Sequence, residues 1–455
     1  MTRPPMPDHR ADRVALWRHL AMFRRDILST QPARLYRAKM AEVKLPFLHS
    51  VMVNTPDLVR LVLQERPRDF PKSERVREGL RLLLGNSVFV TNGPVWERQR
   101  RMIDPAFEGG RLRETLPAMW AAAEACAQRL PPGTVEIEEA MSHAAADVIF
   151  RTLFSLPIED ATATQVYQSF RAHQRSAPLL NLAALIPLPR WLPRYFPRET
   201  RATAAHIRAL ITQMVAARMA QIAAGTAPDD LATKILTTRD PETGATFTRD
   251  EMVDQVAIFF LAGHETSASA LAWTLYLLAT HPEWQARLAQ EAEALRPHLV
   301  QGTPPDFGLL RRLPLIRDTF REALRLYPPV PMLVREATRP EELRGRKLGQ
   351  GAQVVVSLWH MGRHEGVWDE PHDFRPERWQ LEATKAPARD AFLPFSSGPR
   401  VCTGAGFAMA EAVLILARLL CDWQFRADPA RVPVPMAHMT VRARDGIWLD
   451  LMRRS

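Results

Sequence analysis

The 455-residue sequence predicts a mainly α fold that carries small β-sheets and forms one large unit. Three observations carry this expectation. Apolar residues recur at helical spacing over residues 118–130, 142–156 and 202–224, a far longer helical pattern opens at residue 248 and runs to 280, and β-rich runs are few and short.

The elements follow in chain order. Residues 47–54 are β-rich, and Thr55-Pro56 behind them makes a helix entry leading into Leu58-Val-Arg-Leu-Val-Leu, because a proline in the first helical turn forfeits no hydrogen bond. Between residues 179 and 197, apolar and aromatic residues are mixed with Pro187, Pro189, Pro193 and Pro197. Proline at that density prevents a continuous helix, which leaves two readings: a crossover packed on the core, or a mobile lid over an apolar entrance. Thr248-Arg-Asp-Glu251 is a capping box that starts the long helix, and His281-Pro282 stops it. Within it, Gly263 and the back-bonding hydroxyl of Thr266 predict local loosening. Residues 347–357 read as a strand region and residues 440–449 as a hairpin turning at Asp445-Gly446.

Composition narrows the function classes. The 38 prolines punctuate helical segments without forming a low-complexity stretch, so residues 1–455 read as a single domain. Cys126, Cys402 and Cys421 are too scattered for a disulfide framework or a paired-ligand zinc site, which suits a reducing cytoplasmic setting. The N-terminus lacks an apolar signal core, and neither secretion nor a membrane span is expected. The formal charge of +10 is dispersed and mixed with acids, with no aromatic-basic stripe, so nucleic acid is not the expected partner. A basic face remains suited to an acidic redox protein.

Four segments carry chemistry. Residues 395–404 read Phe-Ser-Ser-Gly-Pro-Arg-Val-Cys-Thr-Gly, with Cys402 ahead of a helix expected to start at Thr403. Unpaired N–H groups there lower the cost of a thiolate able to ligate a metal. Gly398 and Gly404 permit a tight turn or close approach of a flat partner, and Arg400 offers a fixed cation. In Ala262-Gly-His-Glu-Thr266, Ala262 and Thr266 share one helical face, and the small Ala262 and Gly263 leave room for a planar group or dioxygen. Glu265 beside them is a proton source, although alone Gly263 reads as a packing glycine and Glu265 as a solvated acid. Glu322 and Arg325 stand on one helical face, suited to an ion pair. Trp96 and Arg100 stand one turn apart, and each of Arg100, Arg335 and Arg400 taken alone reads as a solvated surface arginine.

Taken together, these segments resemble the cytochrome P450 family of haem-thiolate monooxygenases in its soluble bacterial form, from about Trp96 to the C-terminal strands and in the family's order. The resemblance implies that fold, with haem b between the long central helix and the Cys402 loop. It implies Cys402 as axial iron ligand and Phe395, Gly398, Arg400 and Gly404 as the loop around it. Ala262, Gly263, Glu265 and Thr266 correspond to the oxygen-activating segment, with Glu265 and Thr266 catalytic and His264 without a role. Trp96, Arg100, Arg335 and Arg400 are implied propionate partners. Arg378, in Phe374-Arg-Pro-Glu-Arg-Trp379, joins Glu322 and Arg325 in a structural triad. One departure lies in residues 362–368, where the family often carries a proline near Glu365.

The implied reaction is O2-dependent hydroxylation of a hydrophobic small molecule by a monomeric enzyme. With no nucleotide-binding turn or iron–sulfur spacing in the chain, electrons come from a ferredoxin or flavodoxin and its NAD(P)H-dependent reductase. Arg98, Arg101, Arg375 and Arg400 are the expected docking cations. Alternatives are a haem-thiolate peroxygenase, an isomerase or coupling enzyme sharing every motif, and a non-catalytic haem sensor, for which no response module is visible. Expected pocket walls are residues 76–90, the proline-broken segment, Phe259, Phe260, residues 330–333 and the turn near Met439; they favour a fatty acid, terpenoid or aromatic compound.

Overall fold

The computed structural model describes residues 3–12, 14–45, 48–176 and 196–454. The helices that build the site are α1 (Glu74–Leu84), α2 (Gly93–Ile103), α3 (Leu116–Arg129), α4 (Ile137–Phe154), α5 (Ala161–Ser176), α6 (Arg198–Ala223), α7 (Arg249–Thr280), α8 (Pro314–Leu326) and α9 (Ala405–Asp422). Besides a small pair Glu341–Leu343 and Arg346–Leu348, the strands are β1 (Met40–Leu45), β2 (Leu48–Val53), β3 (Gly133–Glu136), β4 (Met332–Glu336), β5 (Gln353–Ser357), β6 (Trp423–Ala427), β7 (Pro435–Ala437), β8 (Val441–Ala443) and β9 (Trp448–Arg453). The fold is mainly helical with small sheets.

At the centre runs α7, 32 residues and therefore about 48 Å long. Its capping box is complete: the Glu251 N–H donates to Thr248 Oγ1 at 3.3 Å and the Thr248 N–H to Glu251 Oε2 at 2.9 Å. Packing against α4 is tight, with the Phe150 and Phe260 rings 4.5 Å apart. The two remaining faces of the core are closed by α3, α8 and α9, which bury Met119, Phe320 and Leu414. A second apolar cluster lies under the sheet of order β1-β2-β5-β4, in which β2 and β5 run parallel and the other pairs antiparallel.

Several expectations change in detail. The loosening foreseen at 262–266 does not occur, and α7 is unbroken from Arg249 to Thr280. Residues 440–449 are not a hairpin: β8 pairs with β7, whereas β9 pairs with β3 and β6. Asp445-Gly446 is instead where the chain changes sheets, with Gly446 at φ 76° and the Ile447 N–H captured by Glu136 Oε1 at 3.1 Å. The strand expected over 347–357 is two strands, interrupted around Gly351 at φ 82°. Thr55-Pro56 does open a helix, which passes after one turn into a π-helical turn at Leu61–Glu65. Of the proline-broken segment, residues 177–195 lie outside those described.

Candidate active site: a cysteine loop, a central helix and a ring of cations

The Cys402 loop is tied down by its own backbone. The Cys402 N–H donates to the Phe395 carbonyl at 2.9 Å, closing the loop. Gly398 sits at φ 69°, and a Cβ there would run into the Leu63 carbonyl. Its glycine is thus demanded by the tight turn and by the π-helical turn beneath it. Ser396 also adopts a left-handed φ of 64°, a position that favours glycine. The following helix begins at Ala405, with Gly404 as N-cap, two residues later than expected.

Around the sulfur, burial pushes the Cys402 thiol up, while the Gly404 N–H and the charges of Arg100 and Lys72 pull it down. Burial wins in the thiol form, so the helix start by itself does not produce a thiolate. A metal at the sulfur would supply the missing charge and take the thiolate outright. The side chain is enclosed by protein yet exposed, so it faces a cleft.

The wall of that cleft can be read along α7. Phe259, Gly263 and Thr266 are half-buried and Ala262 is exposed, whereas their neighbours Phe260, Leu261, His264 and Glu265 are buried. Positions 259, 262, 263 and 266 form one helical stripe. Phe107 connects this stripe to the cysteine helix, its ring 5.8 Å from Phe259 and 6.4 Å from Phe407. Thr266 Oγ1 donates to the Ala262 carbonyl at 2.5 Å. Gly263 lies on this stripe, but its Cβ direction points at α4. A Cβ on it would meet Ile149 Cδ1, so its missing side chain serves the contact between α7 and α4.

Glu265 is not solvated. Its carboxylate accepts from Thr440 Oγ1 at 2.6 Å, Arg442 Nη2 at 3.0 Å and Gln174 Nε2 at 3.1 Å. Arg442 is itself 44% exposed, so this acid is joined to the surface through one guanidinium. His264 is a core histidine whose Nδ1 pairs with the Phe260 carbonyl at 2.7 Å.

The cations converge as one group. Arg400 lies 4.2 Å over the Trp96 ring and donates to the Thr91 carbonyl and to Asn92 Oδ1 at 3.1 and 2.7 Å. Arg100 reaches the Val401 carbonyl at 2.7 Å and pairs with Asp104 at 2.8 Å, which satisfies part of its charge. Burial lowers Arg335 to about 10. Arg400 also falls to about 10, first through burial and then through repulsion by Arg335 and Arg100. Lys72 belongs to this group and was not foreseen. It bridges to Arg335 through a β-type pairing, and its ammonium, stacked on Phe89 and bonded to the Phe89 carbonyl, is depressed well below the usual range by burial, Arg335 and Arg400. A lone lysine in Phe70-Pro-Lys-Ser73 gives no sequence signal of this placement. Buried cations that repel one another call for an anionic group, and two carboxylates on the edge of a planar cofactor meet that demand.

Away from the cleft, Glu322 is fully buried and accepts from Arg325 at 2.8 and 2.9 Å and from Arg378 at 2.9 Å. The Trp379 indole adds a fourth donation at 3.1 Å. Burial pushes this carboxyl up, but the two arginines outweigh it and hold it below its ordinary value.

Three of the four expected docking cations are committed within the chain. Arg98 pairs with Glu251 at 2.6 Å, Arg101 with Asp240 at 2.8 Å and Glu242 at 2.9 Å, and Arg375 with Glu370 and with Glu377 at 3.1 Å. Arg400, the fourth, stacks on Trp96. Three of the four thus stand in ion pairs within the chain, at the positions expected to face a redox partner.

Comparison with known proteins agrees with this geometry. The cytochrome P450 family model matches residues 19–447. The chain is 32% identical over 422 residues to cyclooctat-9-en-7-ol 5-monooxygenase of Streptomyces melanosporofaciens, covering 91% of this chain and 87% of that protein. It is 33% identical to pentalenene oxygenase of Streptomyces avermitilis over 88% of this chain and 87% of that one. With 11-oxo-beta-amyrin 30-oxidase of Glycyrrhiza uralensis it shares 29% identity over 87% of this chain and 77% of that protein. By that family model and these relatives, the chain that carries this cysteine loop, α7 stripe and cation group belongs to the cytochrome P450 family.

Proposed function

We propose that Cys402 would ligate the iron of a haem, that Trp96, Arg100, Arg335, Arg400 and Lys72 would hold its propionates, and that Thr266 and Glu265 govern proton supply. Family membership makes the chain a haem-thiolate monooxygenase that uses O2, a hydrophobic substrate and electrons from a redox partner. The single observation carrying the site assignment is the group of mutually repelling cations, Arg335 buried and Lys72, Arg100 and Arg400 half-buried, beside Cys402.

The bound haem supplies the oxygen-activating chemistry. The chain's own residues do the rest. The Gly404 N–H donates toward Cys402 Sγ and moderates the charge on the sulfur. Ala262 keeps the α7 face low, and Thr266, held against the Ala262 carbonyl, presents a hydroxyl at the edge of the cleft. Glu265, hydrogen-bonded to Arg442 at the exterior, links that region to solvent protons. Phe259, Met332, Leu333 and Met439, all half-buried, present apolar surface for the substrate and exclude water.

The names of the Streptomyces relatives support a terpenoid as substrate class. The chain's other cysteines, Cys126 and Cys421, are core thiols, which favours haem b held without thioether links. All three thiols are free, which suits a reducing cytoplasmic setting, and the enzyme is read as a monomeric single domain served by a separate ferredoxin or flavodoxin and its reductase. Among the described residues, no helix is long and apolar enough to cross a membrane.

The test is the absorption spectrum of the reduced, carbon-monoxide-bound protein. A red-shifted Soret band is expected, and Cys402→Ser abolishes it while the protein stays folded. A haem-loaded protein lacking that band sinks the assignment.

A further inference from the structure

Beside the Glu322 triad stands a further buried arginine that the triad does not use. Arg325, Arg363 and Arg378 are 1%, 0% and 3% exposed, and the acid buried with them is Glu322. Arg325 and Arg378 direct their N–H groups at Glu322 and at the carbonyls of Gly362, Pro371, Asp373, Asp369 and Glu370. Arg363 has no such outlet. Its guanidinium lies 4.1 Å from the centre of the Trp359 ring and 5.0 Å from that of Tyr327, and none of its three nitrogens has a well-aligned hydrogen-bond partner among the described residues. A second donor stands one turn back. His360 belongs to the short helix Leu358–Met361, and the Arg363 N–H donates to its carbonyl at 3.2 Å. Among the described residues the Ser357 hydroxyl has no acceptor other than His360 Nδ1, 2.7 Å away, so it donates there and leaves the ring's own proton on Nε2. Burial, helped by His9 and Arg363, lowers this imidazole to about 3. The ring is therefore neutral, and its buried Nε2–H has no partner.

The groups nearby do not supply the missing negative charge. Burial raises both Tyr36 and Tyr327; the Tyr327 hydroxyl donates to the Pro5 carbonyl at 2.8 Å, and the Tyr36 oxygen accepts from Trp359 Nε1 at 2.8 Å. His9 and His372, packed on the Tyr36 ring at 5.4 and 5.2 Å, are held toward their neutral forms by burial. Asp8 and Glu365, the acids that reach these two rings, are exposed, and Glu365 pairs with Arg37. A buried guanidinium and a buried imidazole N–H, both donors and both unpartnered, suit a small anion. We propose that Arg363 and His360 bind a small monovalent inorganic anion of the chloride kind, which balances the excess of arginine where α8, residues 358–375 and the N-terminal residues 4–9 meet. A water molecule there would satisfy the N–H groups and leave the charge. The site stands apart from the Cys402 cleft and does not depend on its reading.

The test takes the holoenzyme with chloride and bromide as probes. In thermal melts at fixed ionic strength, replacing gluconate by chloride up to about 0.2 M is expected to raise the melting temperature by about 2 °C and then saturate. Arg363→Gln removes the charge and with it the rise. His360→Leu leaves Arg363 in place and raises the half-saturating chloride concentration roughly tenfold, the factor for one lost charge-assisted donor. Crystals of the unmodified protein soaked in bromide read the site directly, even where a variant fails to fold. An anomalous peak within hydrogen-bond reach of the Arg363 guanidinium and His360 Nε2 is expected. A site filled by water alone, a melting temperature indifferent to chloride, or an unchanged chloride response in Arg363→Gln overturns the proposal. Bromide seen there in the crystal without a chloride response in solution marks an adventitious ion only, and overturns it as well.

Discussion

Lys72 shows how a side chain acquires a role from its neighbours alone. Its ammonium is buried with Arg335 and Arg400 as like-charged company. Each cation raises the cost of the others until an anion arrives. The sign of its contribution therefore depends on cofactor loading. Lys72→Met is expected to stabilise the haem-free protein toward urea, because a buried charge is removed, and to weaken the loaded one. Losing one charge-assisted contact of about 1.5 kcal/mol corresponds to roughly tenfold faster haem loss. Haem transfer to an apo-globin acceptor, followed alongside urea melts of both forms, checks the opposite signs. Equal and like-signed effects would place Lys72 outside the propionate site.

At the level of whole elements, the contact between α4 and α7 decides how well the oxygen-side stripe is held. Gly263 permits that contact because a Cβ would meet the end of the Ile149 side chain. Gly263→Ala is therefore expected to cost about 1–3 kcal/mol by overpacking, despite alanine's better helix propensity. Ile149→Val removes the Cδ1 that stands in the way, so the double variant recovers part of the loss in a thermal-melt cycle. The joint between α7 and α9, where the Ser267 hydroxyl donates to the buried Glu411 at 2.8 Å, carries a pH signature. Glu411 moves from an ordinary 4.5 up to about 8 in the folded chain. Between those values the native state binds a proton that the unfolded state has released. Stability is thus fully present below about pH 4.5, falls as pH rises through the interval and levels off above about pH 8. Glu411→Gln should flatten this slope in denaturant melts between pH ~5.5 and ~8.5, a difference on the order of a few kcal/mol.

The long helix and its start were readable because a capping box and a terminating His-Pro are local signals. The sheet change at Asp445-Gly446 was not, since a two-residue turn with glycine looks the same whether its flanking strands pair with each other or with β7, β3 and β6. The site divides in the same way. Cys402, Gly398 and Arg400 sit together in one decapeptide and could be read from spacing. Lys72, Thr440, Arg442, Gln174 and Glu411 are brought in by tertiary packing from four separate segments, and a single residue of common type carries no spacing to read.

Taken as one molecule, the protein has a formal charge of +10, yet the arginines nearest the cysteine loop are largely spoken for. An exposed cation already paired with a carboxylate contributes little to an external field, because the pair is close to a dipole and is screened by salt. The net charge of the whole surface is what an approaching acidic partner feels at distances beyond about 10 Å. Electron transfer from an acidic ferredoxin is therefore expected to slow with ionic strength, and Arg101→Gln to leave that salt slope almost unchanged. That variant should instead show a stability loss, as Asp240 and Glu242 lose a partner. Stopped-flow reduction rates from roughly 0.02 to 0.5 M salt separate the two effects. A rate independent of salt would mean that no electrostatic steering operates. A slope that collapses in Arg101→Gln would instead return Arg101 to the docking face, with its ion pairs opening as the partner arrives.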